Sequence, residues 1–232
     1  MKLALLGYGK MGKEIELIAL DRGHQIVCKV DKDIREGKLQ EADVAVNFSI
    51  PSAAVENISK ALNQSVPVIC GTTGWLDSYQ LVSQITHDNN TAFLYASNFS
   101  IGVNILFKLN EILAKIMQPY KEYKVSIEET HHIHKLDSPS GTAITLAEGI
   151  IENSDIMHWR IGKEKKDSLS IKSFREGEVP GTHTIIYKST IDNITIEHKA
   201  KNRKGFALGA VIAAEWIVGK KGVFNIDDVL NI

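Results

Sequence analysis

Short apolar runs recur through the first hundred residues, at Leu3 to Leu6, Ile26 to Val30, Val44 to Phe48, Pro67 to Cys70 and Ala92 to Ala96, with amphipathic stretches between them. Strand candidates alternating with helical patterns predict βαβ units around a parallel sheet. In the first helix Met11, Ile15, Ile18 and Ala19 recur at helical spacing, and Gly23 closes it. Ser52, after Pro51, is the expected N-cap of a helix reaching about Asn63. Right-handed crossovers bring the loops that follow the strands to one edge of the sheet, where ligands of such folds bind.

After Asn98 the rhythm changes. A helix is expected from about Ile101 to Met117, a strand from Tyr123 to Glu129, then a dense polar segment and a helix beginning near Thr142. Strand signals follow at Ser168 to Phe174, Thr182 to Lys188 and Asn193 to Lys199, where Ile194, Ile196 and His198 alternate with polar neighbours. This pattern describes a second, α+β unit with an open sheet. The segment Phe206 to Val218 is apolar on nearly every face, as a buried helix is, and is expected to return to the first unit.

Composition narrows the function. Over 232 residues, 27 Lys and Arg face 28 Asp and Glu, a net charge of −1 that gives no basic face for non-specific nucleic-acid binding. No apolar segment approaches the ~18 residues needed to cross a bilayer, and the apolar start stops at Gly7 without a cleavage site. A soluble, membrane-free protein is expected. Cys28 and Cys70 both lie in strand-like runs and read as inert core thiols, which suits a reducing cytoplasm.

Gly7-Tyr8-Gly9-Lys10-Met11-Gly12 follows the first strand and opens the first helix. In that context the glycines give a tight turn and close backbone approach, and the free N–H groups of the helix start favour a pyrophosphate. Asp31 ends the second strand, where a carboxylate accepts hydrogen bonds from the ribose hydroxyls of NADH, whereas Lys32 suits the 2′-phosphate of NADPH. The choice between NADH and NADPH stays open. Gly71-Thr72-Thr73-Gly74 and Ala96-Ser97-Asn98-Phe99 follow the fourth and fifth strands and fall on the same edge, although ordinary turn chemistry selects the same residue types.

The densest chemistry lies between Glu128 and Ala143, which holds three of the eight histidines: His131, His132 and His134. Clustered histidines near carboxylates can bind zinc, but no HExxH spacing is present and neither cysteine is near, so no metal site is assigned. Acid–base chemistry is the alternative, with an imidazole that titrates near neutrality and the Lys135 ammonium close by in sequence. Ser140-Gly141-Thr142 at a helix start offers hydroxyls and unpaired N–H groups that suit a carboxylate.

The run His131-His132-Ile133-His134-Lys135-Leu136-Asp137-Ser138-Pro139-Ser140-Gly141-Thr142-Ala143 resembles the signature of the 4-hydroxy-tetrahydrodipicolinate reductase, or dihydrodipicolinate reductase, family. The glycine-rich start, Gly71-Thr72-Thr73-Gly74 and Ala96-Ser97-Asn98-Phe99 resemble its cofactor motifs in order, and further similarity lies at Arg175-Glu176-Gly177, Pro180-Gly181-Thr182-His183 and Phe206-Ala207-Leu208-Gly209-Ala210. Ile133 departs from the arginine often found inside the histidine cluster and makes the segment less cationic.

What the resemblance implies is a Rossmann-like cofactor domain at about residues 1–98 plus 204–232, and an α+β substrate-binding and oligomerisation domain at 99–203 with an open mixed sheet. It implies hydride transfer from NADH or NADPH to a small dicarboxylate heterocycle, with His131 as general acid, Lys135 as second donor and cation, and His132 with Ser140, Gly141 and Thr142 as carboxylate ligands. It also implies a cytoplasmic homotetramer. Two rivals remain at this point: another two-domain NAD(P)-dependent dehydrogenase, which would share the glycine-rich start, and a non-catalytic dinucleotide sensor, which gives no reason to group His131 with Lys135.

Overall fold

The computed structural model describes residues 1–163, 165 and 167–232, which form two compact units, Met1–Ile101 with Lys204–Ile232, and Gly102–Arg203. The first unit is built from β1 (Lys2–Leu6), α1 (Lys10–Asp21), β2 (Gln25–Asp31), β3 (Ile34–Gly37), β4 (Val44–Asn47), α2 (Pro51–Leu62), β5 (Val68–Cys70), α3 (Tyr79–Asp88) and β6 (Ala92–Tyr95). The second contains α4 (Ile101–Met117), β7 (Lys124–His131), α5 (Gly141–Glu152), β8 (His158–Ile161), β9 (Ser168–Arg175), β10 (Thr182–Lys188) and β11 (Asn193–Lys199). The chain then adds α6 (Lys204–Ile217), β12 (Gly222–Phe224) and α7 (Ile226–Leu230) to the first unit.

The first sheet runs β12-β6-β5-β4-β1-β2-β3, parallel throughout except for β3, which pairs antiparallel with β2. Strand alternation sends Leu3, Leu5, Val44, Val46, Ile69 and Leu94 to one face, where α1 and α6 cover them. Ala4, Leu6, Ala45, Val68, Cys70 and Phe93 go to the other, against α2 and Val82 of α3. Both faces are dry, which is why these strands read as continuous apolar runs. A fully buried side chain such as Phe93 stabilises by about 1.5–3 kcal/mol relative to exposure.

Helix ends follow local chemistry. Gly23 has φ of +80°, and the N–H groups of Gly23 and His24 close on Leu20 and Ala19 to end α1. The expected N-cap at Ser52 is corrected: α2 starts two residues earlier, with Ile50 as the N-cap and Pro51 in the first turn. Proline has no N–H to satisfy and its fixed φ suits that position, so the side-chain cap is dispensable. Cys28 and Cys70 are free and buried, and burial pushes both thiols up, away from the reactive thiolate.

The second sheet runs β11-β10-β7-β9-β8 and is mixed: β10 is antiparallel to β7 and β11, whereas β9 is parallel to β7 and β8. One face carries Ile127, Leu169, Ile171, Ile185 and Tyr187 beneath α4 and α5. The other is polar and partly exposed, and there Lys172 pairs with Glu128 at 3.0 Å and the Thr184 hydroxyl donates to Glu197. Among the described residues no helix is long and apolar enough to cross a membrane.

Candidate active site

The site residues expected from sequence fall into two groups, one in each unit. In the first unit every loop that follows a parallel strand lies at one edge of the sheet. The ladders extend into these loops through Gly7 N–H to Val30, Phe48 N–H to Leu6, Gly71 N–H to Asn47 and Ala96 N–H to Cys70.

The glycines of the first loop serve different ends. At Gly7, with φ of +102°, a Cβ would stand 2.3 Å from the Phe48 carbonyl oxygen, and at Gly12 one would stand 2.3 Å from the Gly7 carbonyl oxygen. Both positions therefore exclude any side chain. At Gly9 a Cβ would meet nothing within 4 Å, so its absence keeps space open in front of the start of α1. That helix has no side-chain cap and no acidic residue in its first turn. Its free N–H groups and dipole face a cavity of about 360 Å³ lined by Gly9, Lys10, Met11, Ser49, Gly71 and Thr73 among others, with no carboxylate in the lining. These residues fit a dinucleotide pyrophosphate.

Asp31 and Lys32 sit at the end of β2. One carboxylate oxygen of Asp31 accepts from the Tyr8 N–H and the other from the Lys32 N–H at 2.7 Å, and these backbone donors hold its carboxyl below the usual range. Each oxygen keeps a free lone pair for a sugar hydroxyl. The Tyr8 hydroxyl donates to Glu16, and the Lys29 ammonium lies 4.8 Å from the Tyr8 ring centroid, so the ring is held on the protein. Thr72 accepts from the Ser49 N–H at 2.9 Å and its hydroxyl lies against the Ser49 carbonyl, tying two loops of the edge together. Ser97 is exposed and Asn98 half-buried, while Phe99 packs in the core at 5.6 Å from the Phe48 ring. Sequence reasoning did not single out Asn47. It is fully buried at the end of β4, donates to Thr72 and accepts from the Ser49 hydroxyl.

In the second unit β7 continues to His131, so Glu129 and His131 share the face covered by helices. Register places Glu129 opposite His183 of β10, and His131 opposite Arg175 of β9. Glu129 is completely buried. Its Oε1 accepts from both Arg175 terminal nitrogens at 3.1 and 3.2 Å and from the Ser140 N–H at 3.2 Å, and its Oε2 lies 2.6 Å from His131 Nδ1. Burial alone would raise this carboxyl, but the His131 and Ser140 contacts outweigh it and hold the group well below the ordinary range. Removing one partner of such a buried pair costs about 3–5 kcal/mol, because the other charge is stranded.

His183 packs edge-on to His131, 5.1 Å between centroids, and its Nε2 lies 3.1 Å from the Ser140 hydroxyl. Burial first, then the neighbouring His131, lowers its pKa to about 4, so His183 is neutral at pH 7. Donor atoms of Glu129, His131 and His183 lie within 4.8 Å of one another, a grouping that can hold a cation. The Arg175 guanidinium already on Glu129 opposes a second positive charge there, and the geometry serves an ion-pair network better than a metal centre.

Arg175 also donates to the carbonyls of Lys135 and Asp137, and so fixes the loop that carries Lys135. The Lys135 ammonium pairs with Asp137 at 2.8 Å. His132 is half-buried, with its ring 6.1 Å from that of His134. Ser140 is the N-cap of α5: its hydroxyl accepts from the Ala143 N–H, and its own N–H is taken by Glu129. The first-turn N–H groups of Gly141 and Thr142 have no partner among the described residues, and a Cβ on Gly141 would meet nothing within 4 Å. The N–H groups open to an anion at this helix start are therefore those of Gly141 and Thr142, with Ser140 shaping the turn behind them. Glu129, Arg175 and His183 were missed as site residues by sequence reasoning; once β7 is extended to His131, period-two alternation points to Glu129.

Residues 1–99 match the family model described as dihydrodipicolinate reductase, N-terminus, and residues 102–230 match the one described as dihydrodipicolinate reductase, C-terminus. A curated 4-hydroxy-tetrahydrodipicolinate reductase of Christiangramia forsetii is 52% identical over 100% of this chain and 98% of its own. One from Methanocaldococcus jannaschii is 36% identical over 98% of this chain and 81% of its own. Among solved structures, a dipicolinate-bound dihydrodipicolinate reductase from Paenisporosarcina sp. TG-14 has the same fold, with a TM-score of 0.82 at 24% identity over 98% of both chains.

Proposed function

The chain belongs to the dihydrodipicolinate reductase family and is an NAD(P)H-dependent reductase of 4-hydroxy-tetrahydrodipicolinate, on the diaminopimelate route to lysine; from that premise we propose which residues carry the reaction. When bound, the nicotinamide dinucleotide supplies a hydride to C4 of the conjugated cyclic imine left after the 4-hydroxyl departs as water. Gly7, Gly9 and the first turn of α1 hold the pyrophosphate, with Gly12 packing the helix close. Asp31 accepts from ribose hydroxyls and Lys32 faces a 2′-phosphate. The loops at Gly71-Thr72-Thr73 and Ala96-Ser97-Asn98-Phe99 supply backbone and hydroxyl groups toward the nicotinamide end.

His131 is the general acid. Its Nδ1 faces the buried Glu129 carboxylate at 2.6 Å, which leaves Nε2 to deliver a proton to the enamine-like product of hydride addition. Lys135 is a second donor and a cation for the doubly anionic substrate. His132 and the N–H groups of Gly141 and Thr142, set by Ser140, hold its carboxylates. The observation that carries this assignment is a buried imidazole with one nitrogen 2.6 Å from a buried carboxylate, on the strand that leads to a helix start where Ser140 caps Ala143 and the Gly141 and Thr142 N–H groups stay open to an anion.

The test follows nicotinamide absorbance on mixing with enzymatically generated hydroxytetrahydrodipicolinate. Oxidation that requires that substrate supports the reading, and dinucleotide binding without turnover replaces it with a sensor. Lys135→Ala is expected to raise KM and lower kcat together, and a variant with wild-type values for both removes Lys135 from the mechanism. Asp31→Ala is expected to weaken NADH more than NADPH in parallel fluorescence titrations, since only the carboxylate contact to unmodified ribose is lost. Equal weakening sinks that role.

A further inference from the structure

Resting on the reading above, we propose that Glu129, clamped by Arg175, is a positioning residue that fixes the His131 ring with Nδ1 turned inward and Nε2 presented to substrate. The Glu129 carboxylate is held from three directions: by the guanidinium of β9, by the backbone N–H at the start of α5 and by the His131 ring on its own strand. It cannot swing away to solvent, because it is wholly buried. A carboxylate 2.6 Å from Nδ1 favours the proton on that nitrogen electrostatically and leaves Nε2 for exchange with substrate.

Gly181 completes the arrangement. A Cβ there would come within 3.1 Å of His131 Nε2, so the absence of a side chain leaves that nitrogen uncovered. The same guanidinium that holds Glu129 also binds the carbonyls of Lys135 and Asp137. One residue therefore sets both the orientation of the acid and the path of the loop bearing the second donor. Neither Glu129 nor Arg175 needs to touch substrate for this.

Two measurements test the proposal. Nitrogen-15 NMR of the full-length wild-type protein, at a pH where His131 is neutral, is expected to show the tautomer protonated at Nδ1; an Nε2-protonated ring overturns the assignment. Glu129→Gln, checked for native circular dichroism and dinucleotide binding, is expected to lose about 100-fold in kcat with little change in substrate KM and to show a mixed tautomer, while Glu129→Asp restores part of the rate. Wild-type kcat in Glu129→Gln, or a loss confined to KM, overturns it. If Glu129→Gln fails to fold, Glu129→Asp and the wild-type spectrum decide: a native tautomer with no catalytic defect in Glu129→Asp counts against a positioning role. A wild-type protein that binds dinucleotide but does not turn over the heterocycle refutes the functional reading itself, whereas an active wild type with the wrong tautomer refutes only this inference.

Discussion

Replacing His131 with glutamine lowers kcat by about 10²–10⁴-fold and leaves dinucleotide affinity unchanged, because the substitution removes a proton donor without touching the first unit. The expected loss corresponds to about 3–5 kcal/mol of transition-state stabilisation. Glutamine keeps a polar group beside Glu129, so the buried carboxylate is not left wholly unsolvated and the variant is expected to fold. Single-turnover absorbance traces at saturating dinucleotide isolate the hydride step from product release. A folded His131→Gln protein with wild-type single-turnover rates would return the histidine to a structural role and transfer the proton to Lys135.

The second large effect is on stability. His183 titrates near 6.5 when unfolded and at about 4 in the native structure, held down first by burial and then by His131. Below pH 6.5 the unfolded chain takes up a proton that the native chain refuses, so stability is complete above that pH and falls as pH drops toward 4. The difference amounts to about 3 kcal/mol at the acid end of the window. His198, also depressed by burial, acts in the same direction. Glu129 adds to the loss only at lower pH, where the unfolded carboxyl begins to protonate and the native one does not.

Between pH 6.5 and 5 the carboxylates stay largely ionised in both states, which separates the histidine contribution from theirs. Urea unfolding across that interval, read from the fluorine-19 resonance of 5-fluorotryptophan at Trp159, the only tryptophan of the second unit, measures it. His183→Gln is expected to flatten the slope. An unchanged slope in that variant would mean that His183 charges inside the fold.

β1, β4, β5 and β6 were legible because both their faces are buried and they appear as apolar runs, whereas β2, half-buried and carrying Lys29, was legible from Ile26, Val27, Cys28 and Val30. β3 was not. Its sequence, Ile-Arg-Glu-Gly, is mostly exposed and lacks alternation, and it is a strand because it pairs back along β2, with Gly37 so near the Val27 carbonyl that a Cβ would stand at 1.8 Å. β8 and β12 escaped notice for a related reason: each is short, lies at a sheet edge and gains its conformation from a neighbour.

The glycine loop and the start of α5 could be placed from sequence because their chemistry is local. The network around His131 is not local. Its members come from β7, β9 and β10, and only register brings Arg175 and His183 beside Glu129 and His131. Reading β7 as ending at Glu129 made His131 a loop residue and hid the face it shares with the carboxylate. Ser140 shows the opposite limit: recognised as an anion ligand by type, it spends its hydroxyl and N–H on the protein itself.

The second unit is one continuous stretch of chain, whereas the first is completed by α6 and β12, which follow it. Ala210, Val211, Ala214 and Ile217 of α6 roof the face formed by Leu3, Leu5, Val44 and Val46. On the ribosome, the nascent first unit therefore waits, one side of its sheet bare, while the hundred-odd residues of the insert are translated, roughly 5–20 s at ordinary elongation rates. The usual vectorial order is reversed: the inserted half is free to fold first, and the half translated earliest matures last, exposed to chaperones in the interval.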